Sequence, residues 1–204
     1  MEIRKISCCE KNVIACVVDI HIKTFTGFFL TFMGKGFLKQ MYTSYCMHEK
    51  SELIGAFEED VPIGFCAYSA NMSGLYKFMI KKKLIPFAWY SLGAFIRKPG
   101  VFMRLLRAFL KPSESERTEE YVELASIGVA PDIKNKGMGT NLIEYVKNHV
   151  DFSKISYIAL ETDAVDNDNV NAFYVKNGFK LERTYNTREG RKMNEYRYYR
   201  RCNQ

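Results

Sequence analysis

The sequence predicts an α/β (α+β) fold of seven strands interleaved with helices, in the order β-α-α-β-β, insertion, β-α-β-α-β-β. Three observations predict it. Runs with apolar residues at strand spacing alternate with runs at helical spacing. The signals that separate them are short acidic or glycine-bearing turns. The length of 204 residues suits one such domain with an insertion and would be cramped for two.

Taken in order, residues 1–7 alternate loosely around Ile3 and Ile6 and read as a strand. Residues 13–32 and 37–47 are apolar-rich at helical spacing and read as two helices. Residues 53–58 and 62–69 are short apolar runs about the acidic turn Glu58-Glu59-Asp60, the pattern of an antiparallel hairpin. Residues 121–129 read as a strand. The helix expected over 137–150 carries Met138, Leu142, Ile143, Val146 and Val150 on one face. A buried strand over 155–161 and a short helix over 167–177, closed by Gly178, follow. From Phe179 two further strands surround the turn Arg188-Glu189-Gly190.

Composition narrows the function classes. With 47% hydrophobic and 26% charged residues the chain is an ordinary globular one. Cys8, Cys9, Cys16, Cys46, Cys66 and Cys202 show neither C-x-x-C nor Cys/His ligand spacing, so they read as reduced thiols, with no metal site expected. The first residues carry Glu2, Arg4, Lys5, Glu10 and Lys11 and no apolar core, unlike a secretory signal, and a cytoplasmic location is expected. His21, His48 and His149 are far apart with no H-E-x-x-H or nucleophile elbow to organise them, and read as packing or surface residues. No helix-turn-helix, zinc-finger or basic-region pattern points to nucleic acid.

The insertion, residues 71–111, is the most individual part. Residues 84–96 contain no charge and lie between Lys81-Lys82-Lys83 and Arg97-Lys98. Residues 61–113 hold nine of the chain's 30 Lys and Arg and no Asp or Glu, so the rest has 21 basic against 23 acidic residues and the whole +7 charge sits here. Three readings stay open: a lid over an anionic acceptor, a membrane-surface patch that keeps the protein peripheral to a bilayer, and an ordinary packed lobe with basic solvent faces. A span is excluded, since a helix crossing a bilayer needs about 20 apolar residues.

The strongest chemical signal is the stretch from Val129 through Ala130-Pro131-Asp132-Ile133 to Lys134-Asn135-Lys136-Gly137-Met138-Gly139-Thr140. It joins a strand end, a turn, a pair of glycines and an amphipathic helix. Glycines let the backbone approach a ligand closely, and a helix start offers unpaired N–H groups and a positive dipole end, so a pyrophosphate is the natural occupant. This stretch resembles the acetyl-CoA motif of the GNAT superfamily, Arg/Gln-x-x-Gly-x-Gly/Ala, preceded by a strand ending in V-x-P. Lys134 stands where Arg or Gln is usual, which keeps the charge but loses planar bidentate geometry. Asn167 to Phe179 is similar to the family's second motif, N-x-x-A/V-x-x-x-Y-x-x-x-G-F, with Val170, Tyr174 and Gly178 in place. The likeness is close over residues 121–179 and extends to the N-terminal half only through element order.

The resemblance implies a mixed, twisted sheet that splays open between its fourth and fifth strands, with acetyl-CoA as co-substrate in the gap. It implies that backbone groups of Ile127 and Val129 pair with the pantetheine arm, that the Val129 N–H polarises the thioester carbonyl, and that amides of Asn135, Lys136, Gly137, Met138, Gly139 and Thr140 cradle the pyrophosphate. Lys134 and Asn167 are further cofactor contacts. Tyr174 matches the tyrosine that protonates the departing thiolate. Glu123 and Glu161 both match glutamates that act as the base in different members, and period-2 alternation puts the side chains of Glu123 and Val129 on one side of the strand. The reaction implied is direct acetyl transfer to the primary amine of a small molecule, preferably an amino sugar or its nucleotide- or lipid-linked form. The alternatives are a protein N-terminus or lysine as acceptor, or a non-catalytic acyl-CoA-binding or membrane-recruited module.

Overall fold

The computed structural model describes residues 2–97, 99–100, 119–133, 137–187 and 190–200. A strand β1 (Glu2–Lys5) leads into helices α1 (Lys11–Thr24), α2 (Phe29–Met33) and α3 (Lys35–Met47), then strands β2 (Ser51–Glu58) and β3 (Val61–Ser69). Helix α4 (Met72–Arg97) is followed by β4 (Tyr121–Val129), α5 (Met138–His149), β5 (Tyr157–Asp163), α6 (Asp168–Lys176), β6 (Lys180–Asn186) and β7 (Lys192–Tyr198). The seven strands make one mixed sheet in the order β1-β2-β3-β4-β5-β7-β6. Its β4–β5 pair is parallel and the other pairs are antiparallel. The order of strands and helices is the one read from the sequence, except that three helices stand between β1 and β2 where two were expected.

Local chemistry explains most boundaries. Glu59 and Asp60 take φ of 48° and 65°, the left-handed pair that closes a two-residue hairpin with the strands' own twist. The helix expected over 13–32 is broken instead: α1 stops at Thr24, and Gly27 at φ 82° turns the chain before α2. The Thr31 hydroxyl donates to the Phe25 carbonyl across that break (2.7 Å), giving the freed group a partner. Helix α4 takes up most of the insertion that is described. Asn71 caps it, accepting from the Gly74 N–H at 2.7 Å, and it runs through Pro86 without ending. The part of the insertion after residue 100 and two residues of the turn at 188–190 lie outside the described residues.

The sheet has two faces with separate cores. Helices α1 to α4 cover the front, where Ile14, Val17, Leu38 and Tyr42 meet Leu53, Phe65 and Ala67. Helices α5 and α6 cover the back, where Leu142, Ile143, Val146 and Tyr174 meet Cys66, Val122, Leu124, Ile158 and Leu160. Beyond β5 the front is carried by charge: Glu195 on β7, fully buried, is held by Arg183 at 2.7 Å and Arg197 at 2.9 Å. Leaving a carboxylate out of water without such partners is strongly destabilising.

Two outcomes follow for stability. Leu142 is fully buried and docks α5 on the sheet. Leu142→Ala should cost about 3 kcal/mol and lower Tm by roughly 6–12 °C in a thermal melt. His21 is buried in the front core with its Nδ1 2.6 Å from the Tyr42 hydroxyl and its ring 4.7 Å from Phe25, and burial depresses its pKa from 6.5 to about 4. The unfolded chain therefore takes up a proton that the folded one refuses, so stability is complete above pH 6.5 and falls as pH drops toward 4, by about 3 kcal/mol. Denaturant unfolding of wild type and His21→Asn across this window should show the slope flattened in the variant.

Candidate functional site

The parallel pair β4–β5 is in register only through Tyr121↔Tyr157, Val122↔Ile158 and Glu123↔Ala159. Past that point the strands separate, with β4 staying on β3 and β5 on β7. The expected split between the fourth and fifth strands is therefore present. The β3–β4 ladder fixes what the split exposes. The Ala130 N–H bonds to the Ile63 carbonyl (2.8 Å). With Gly64 opposite Val129 and Cys66 opposite Ile127, that phase makes Phe65 and Gly128 the hydrogen-bonded pair. Ile127 and Val129 consequently turn their N–H and C=O groups away from β3, toward the gap, where the Val129 C=O accepts the Thr24 hydroxyl at 3.3 Å. A ligand with amides of its own can complete that edge.

A bulge in β4 corrects one expectation. The register shifts between Ala67 and Tyr68, where Ala125 is the extra residue of β4, so alternation inverts across it. Ile127 and Val129 join the back core with Val122 and Leu124, while Gly128 faces Phe65 and Phe25 at the front. Glu123 is on the front as well: its charge raises the pKa of the Tyr45 and Tyr76 hydroxyls, alongside their burial. The side chains of Glu123 and Val129 thus point to opposite faces. Simple period-2 counting across six residues fails because one residue is inserted between them.

The structure brings the two glutamates together. Glu161 also acts on Tyr76, and it accepts the Tyr185 hydroxyl at 2.6 Å. Burial and this hydrogen bond both raise the Tyr185 pKa, so the phenol keeps its proton at neutral pH. Tyr76, from the first turns of α4, sits within the field of both carboxylates. Ser126, hydrogen-bonded to Tyr42, continues the same wall. Sequence reasoning missed Tyr76, Tyr185 and Ser126, because nothing in their local pattern announces a contact made across the fold.

Tyr174 occupies the other face. It packs among Phe173, Phe179 and Tyr196, with ring centroids 5.3, 5.9 and 6.1 Å away, and burial holds its pKa above the usual range. It is therefore a protonated donor at neutral pH. Asn171, also missed, fixes the helix that carries it. Its amide donates to the Asp163 carbonyl, and its side-chain oxygen accepts from Tyr196 and Asn194, at 2.8–3.0 Å. Asn167 uses its amide nitrogen on the Thr162 hydroxyl (2.8 Å) and the Asp163 carbonyl (3.0 Å), which ties the start of α6 to the end of β5.

The glycine-bearing helix start lies where the gap meets α5. Gly137 adopts φ 73°, a left-handed turn into the helix, and the first helical bond runs from the Asn141 N–H to the Gly137 carbonyl. The N–H groups of Met138, Gly139 and Thr140 precede that bond, so they have no partner within the helix and can donate to an anion. A Cβ on Gly139 would lie 3.0 Å from the Phe173 ring, so this glycine also permits α6 to rest against the helix start. The Met138 side chain is buried behind it. Lys134, Asn135 and Lys136 lie outside the described residues. Among the described residues no cluster of His, Cys, Asp and Glu could hold a metal ion, and no helix is long and apolar enough to cross a membrane.

Solved structures share this architecture at low identity. A GNAT-family protein from Desulfovibrio desulfuricans is 18% identical with a TM-score of 0.61, covering 97% of this chain and 98% of its own. An aminoglycoside 6'-acetyltransferase type Ii is 14% identical with a TM-score of 0.63, covering 99% and 100%. The ribosomal-protein-S18-alanine N-acetyltransferase of Escherichia coli is 12% identical with a TM-score of 0.57, covering 97% and 92%. No curated protein is a significant match to the sequence. The sequence profile of the acetyltransferase (GNAT) family matches residues 18–179, which span both glycine-bearing motifs and the split between β4 and β5. This protein belongs to that family of acetyl-CoA-dependent acetyltransferases.

Proposed function

We propose that this protein transfers the acetyl group of acetyl-CoA directly to the primary amine of a small molecule, in a ternary complex, with an amino sugar or its nucleotide- or lipid-linked form as the preferred acceptor class. One observation carries the reading: two carboxylates stand on the front of the sheet and a buried protonated tyrosine on the back, and the sheet between them parts where β4 leaves β5 after Glu123. Acetyl-CoA enters from the back, with its pantetheine on Ile127 and Val129 and its pyrophosphate on Gly137 to Thr140. Lys134, Asn135, Lys136 and the Asn167 side chain complete its contacts. The amine enters from the front. The hydroxyls of Tyr76 and Tyr185 around Glu123 and Glu161 offer the hydrogen bonds that a polyhydroxylated amine needs. An aminoglycoside acetyltransferase among the structural neighbours fits the same class.

The chemistry then divides between the faces. A carboxylate takes a proton from the ammonium form, and the neutral amine attacks the thioester carbonyl. The Val129 N–H steadies the oxyanion, collapse expels the thiolate, and Tyr174 protonates it. The carboxylic acid returns its proton to solvent, and the second proton, shed by the nitrogen as the amide forms, restores Tyr174 through solvent, leaving amide and free CoA thiol.

Release of free thiol from acetyl-CoA, screened over amino sugars, aminoglycosides, polyamines and N-terminal peptides, tests the acceptor class. Turnover of peptides alone contradicts it. Tyr174→Phe should lower kcat by roughly 10²–10⁴ with acetyl-CoA KM little changed, because a general acid acts in the transition state. An unchanged kcat in a pre-steady-state assay of the chemical step removes Tyr174 from the reaction. The pH profile of kcat/KM separates the glutamates: in Glu123→Gln or Glu161→Gln, whichever carries the base, the acidic limb should vanish, while the other substitution leaves the limb and raises acceptor KM.

A further inference from the structure

Helix α4 has two sides of different use. Its inner side packs: Leu75 and Met79 are buried, the Phe87 ring meets Phe37 at 4.9 Å, Lys83 donates to Gln40 at 3.2 Å, and Tyr90 rests on Gly36. Its outer side carries Ile85, Trp89, Leu92 and Ile96, spaced i, i+4, i+7, i+11, which is one continuous stripe. Ile85, Trp89 and Ile96 are 81%, 72% and 70% exposed, and Leu84 beside them is exposed too. No charge interrupts residues 84–96. Single exposed apolar residues are ordinary, but a contiguous stripe of large ones marks a surface that meets something apolar.

We infer that this face docks on an anionic lipid bilayer, with the helix lying in the interface. Charge complementarity selects that occupant. Lys81 and Lys82 flank the stripe at one end and Arg97 and Lys98 follow it at the other in sequence, inside a stretch of nine basic and no acidic residues. A second copy is disfavoured by the same arrangement, since stripes paired in either direction bring basic ends against basic ends. The uncharged stretch is about 20 Å long as a helix, short of the ~30 Å hydrocarbon core, so the helix lies on the bilayer and does not cross it. Lysines next to an apolar face with an interfacial tryptophan are the combination that binds such surfaces.

The sole tryptophan of the chain, Trp89, makes the test direct. Purified full-length protein is titrated with vesicles of phosphatidylcholine alone or with one-third phosphatidylglycerol, reading Trp emission and its quenching by brominated lipid. Anionic vesicles should bind the protein, shift the emission to the blue and allow quenching, with binding weakened by salt. Lys81→Gln with Lys82→Gln should weaken binding about thirtyfold, and Ile85→Ser with Ile96→Ser should abolish the blue shift. Neither pair touches the inner side, and matching thermal melts confirm that both variants fold. No binding to anionic vesicles overturns the inference, as does binding without a Trp89 response. Concentration-dependent self-association that Ile85→Ser with Ile96→Ser removes assigns the face to a second copy instead. None of these readouts uses acetyl transfer, so they stand or fall separately from the proposed reaction.

Discussion

The parting of β4 and β5 after Glu123 and Ala159 is the constraint on which the rest of the site depends. A continuous sheet would seal the front from the back, and groups on its two faces could never act on one molecule. It would also give Ile127 and Val129 partners on β5. The Val129 C=O accepts the Thr24 hydroxyl at 3.3 Å, and the two N–H groups with the Ile127 C=O form a strand edge inside a fold that covers β4 with α1 on one side and α5 on the other. Polar backbone buried without a partner costs about 1–3 kcal/mol per group, so the edge is stable only if water or a ligand meets it. The pantetheine arm of CoA carries amides and suits that role.

The bulge at Ala125 sets the handedness of this arrangement. Before it, β4 sends Glu123 forward to Tyr45 and Tyr76; after it, Ile127 and Val129 send their side chains backward while their backbone stays in the gap. One inserted residue thus places a carboxylate and an amide-bearing edge on the same strand without directing both side chains one way. Tyr174, held by the Asn171 network and by Phe179, approaches from behind. Phe173, its neighbour in sequence, packs over Gly139, where a Cβ would lie 3.0 Å from its ring, so the helix carrying Tyr174 rests on the start of α5.

What the sequence disclosed divides along the same line. The glycine-bearing start of α5 was legible because its demands are local: Gly137 must take φ 73°, and Gly139 must leave room, whatever surrounds them. The seven strands and the order of helices were legible because apolar periodicity follows from having one buried face per element. The bulge was not, since Ala125 in the run Glu123-Leu124-Ala125-Ser126 looks like any strand residue, and inversion across it made the alternation argument fail. The break at Gly27 was concealed by the apolar residues on both sides of it. Tyr76 and Tyr185 were invisible as site residues because their meaning lies in contacts with strands far away in sequence, and the insertion that supplies Tyr76 has no counterpart in the family motifs.

A crystal structure of the protein with CoA tests the account most directly. The account predicts the pantetheine arm paired with the backbone of Ile127 and Val129, the pyrophosphate at the N–H groups of Met138 to Thr140, and the sulfur within hydrogen-bonding reach of the Tyr174 hydroxyl. CoA bound away from the gap, or β4 and β5 zipped together past Glu123 with CoA elsewhere, would contradict it.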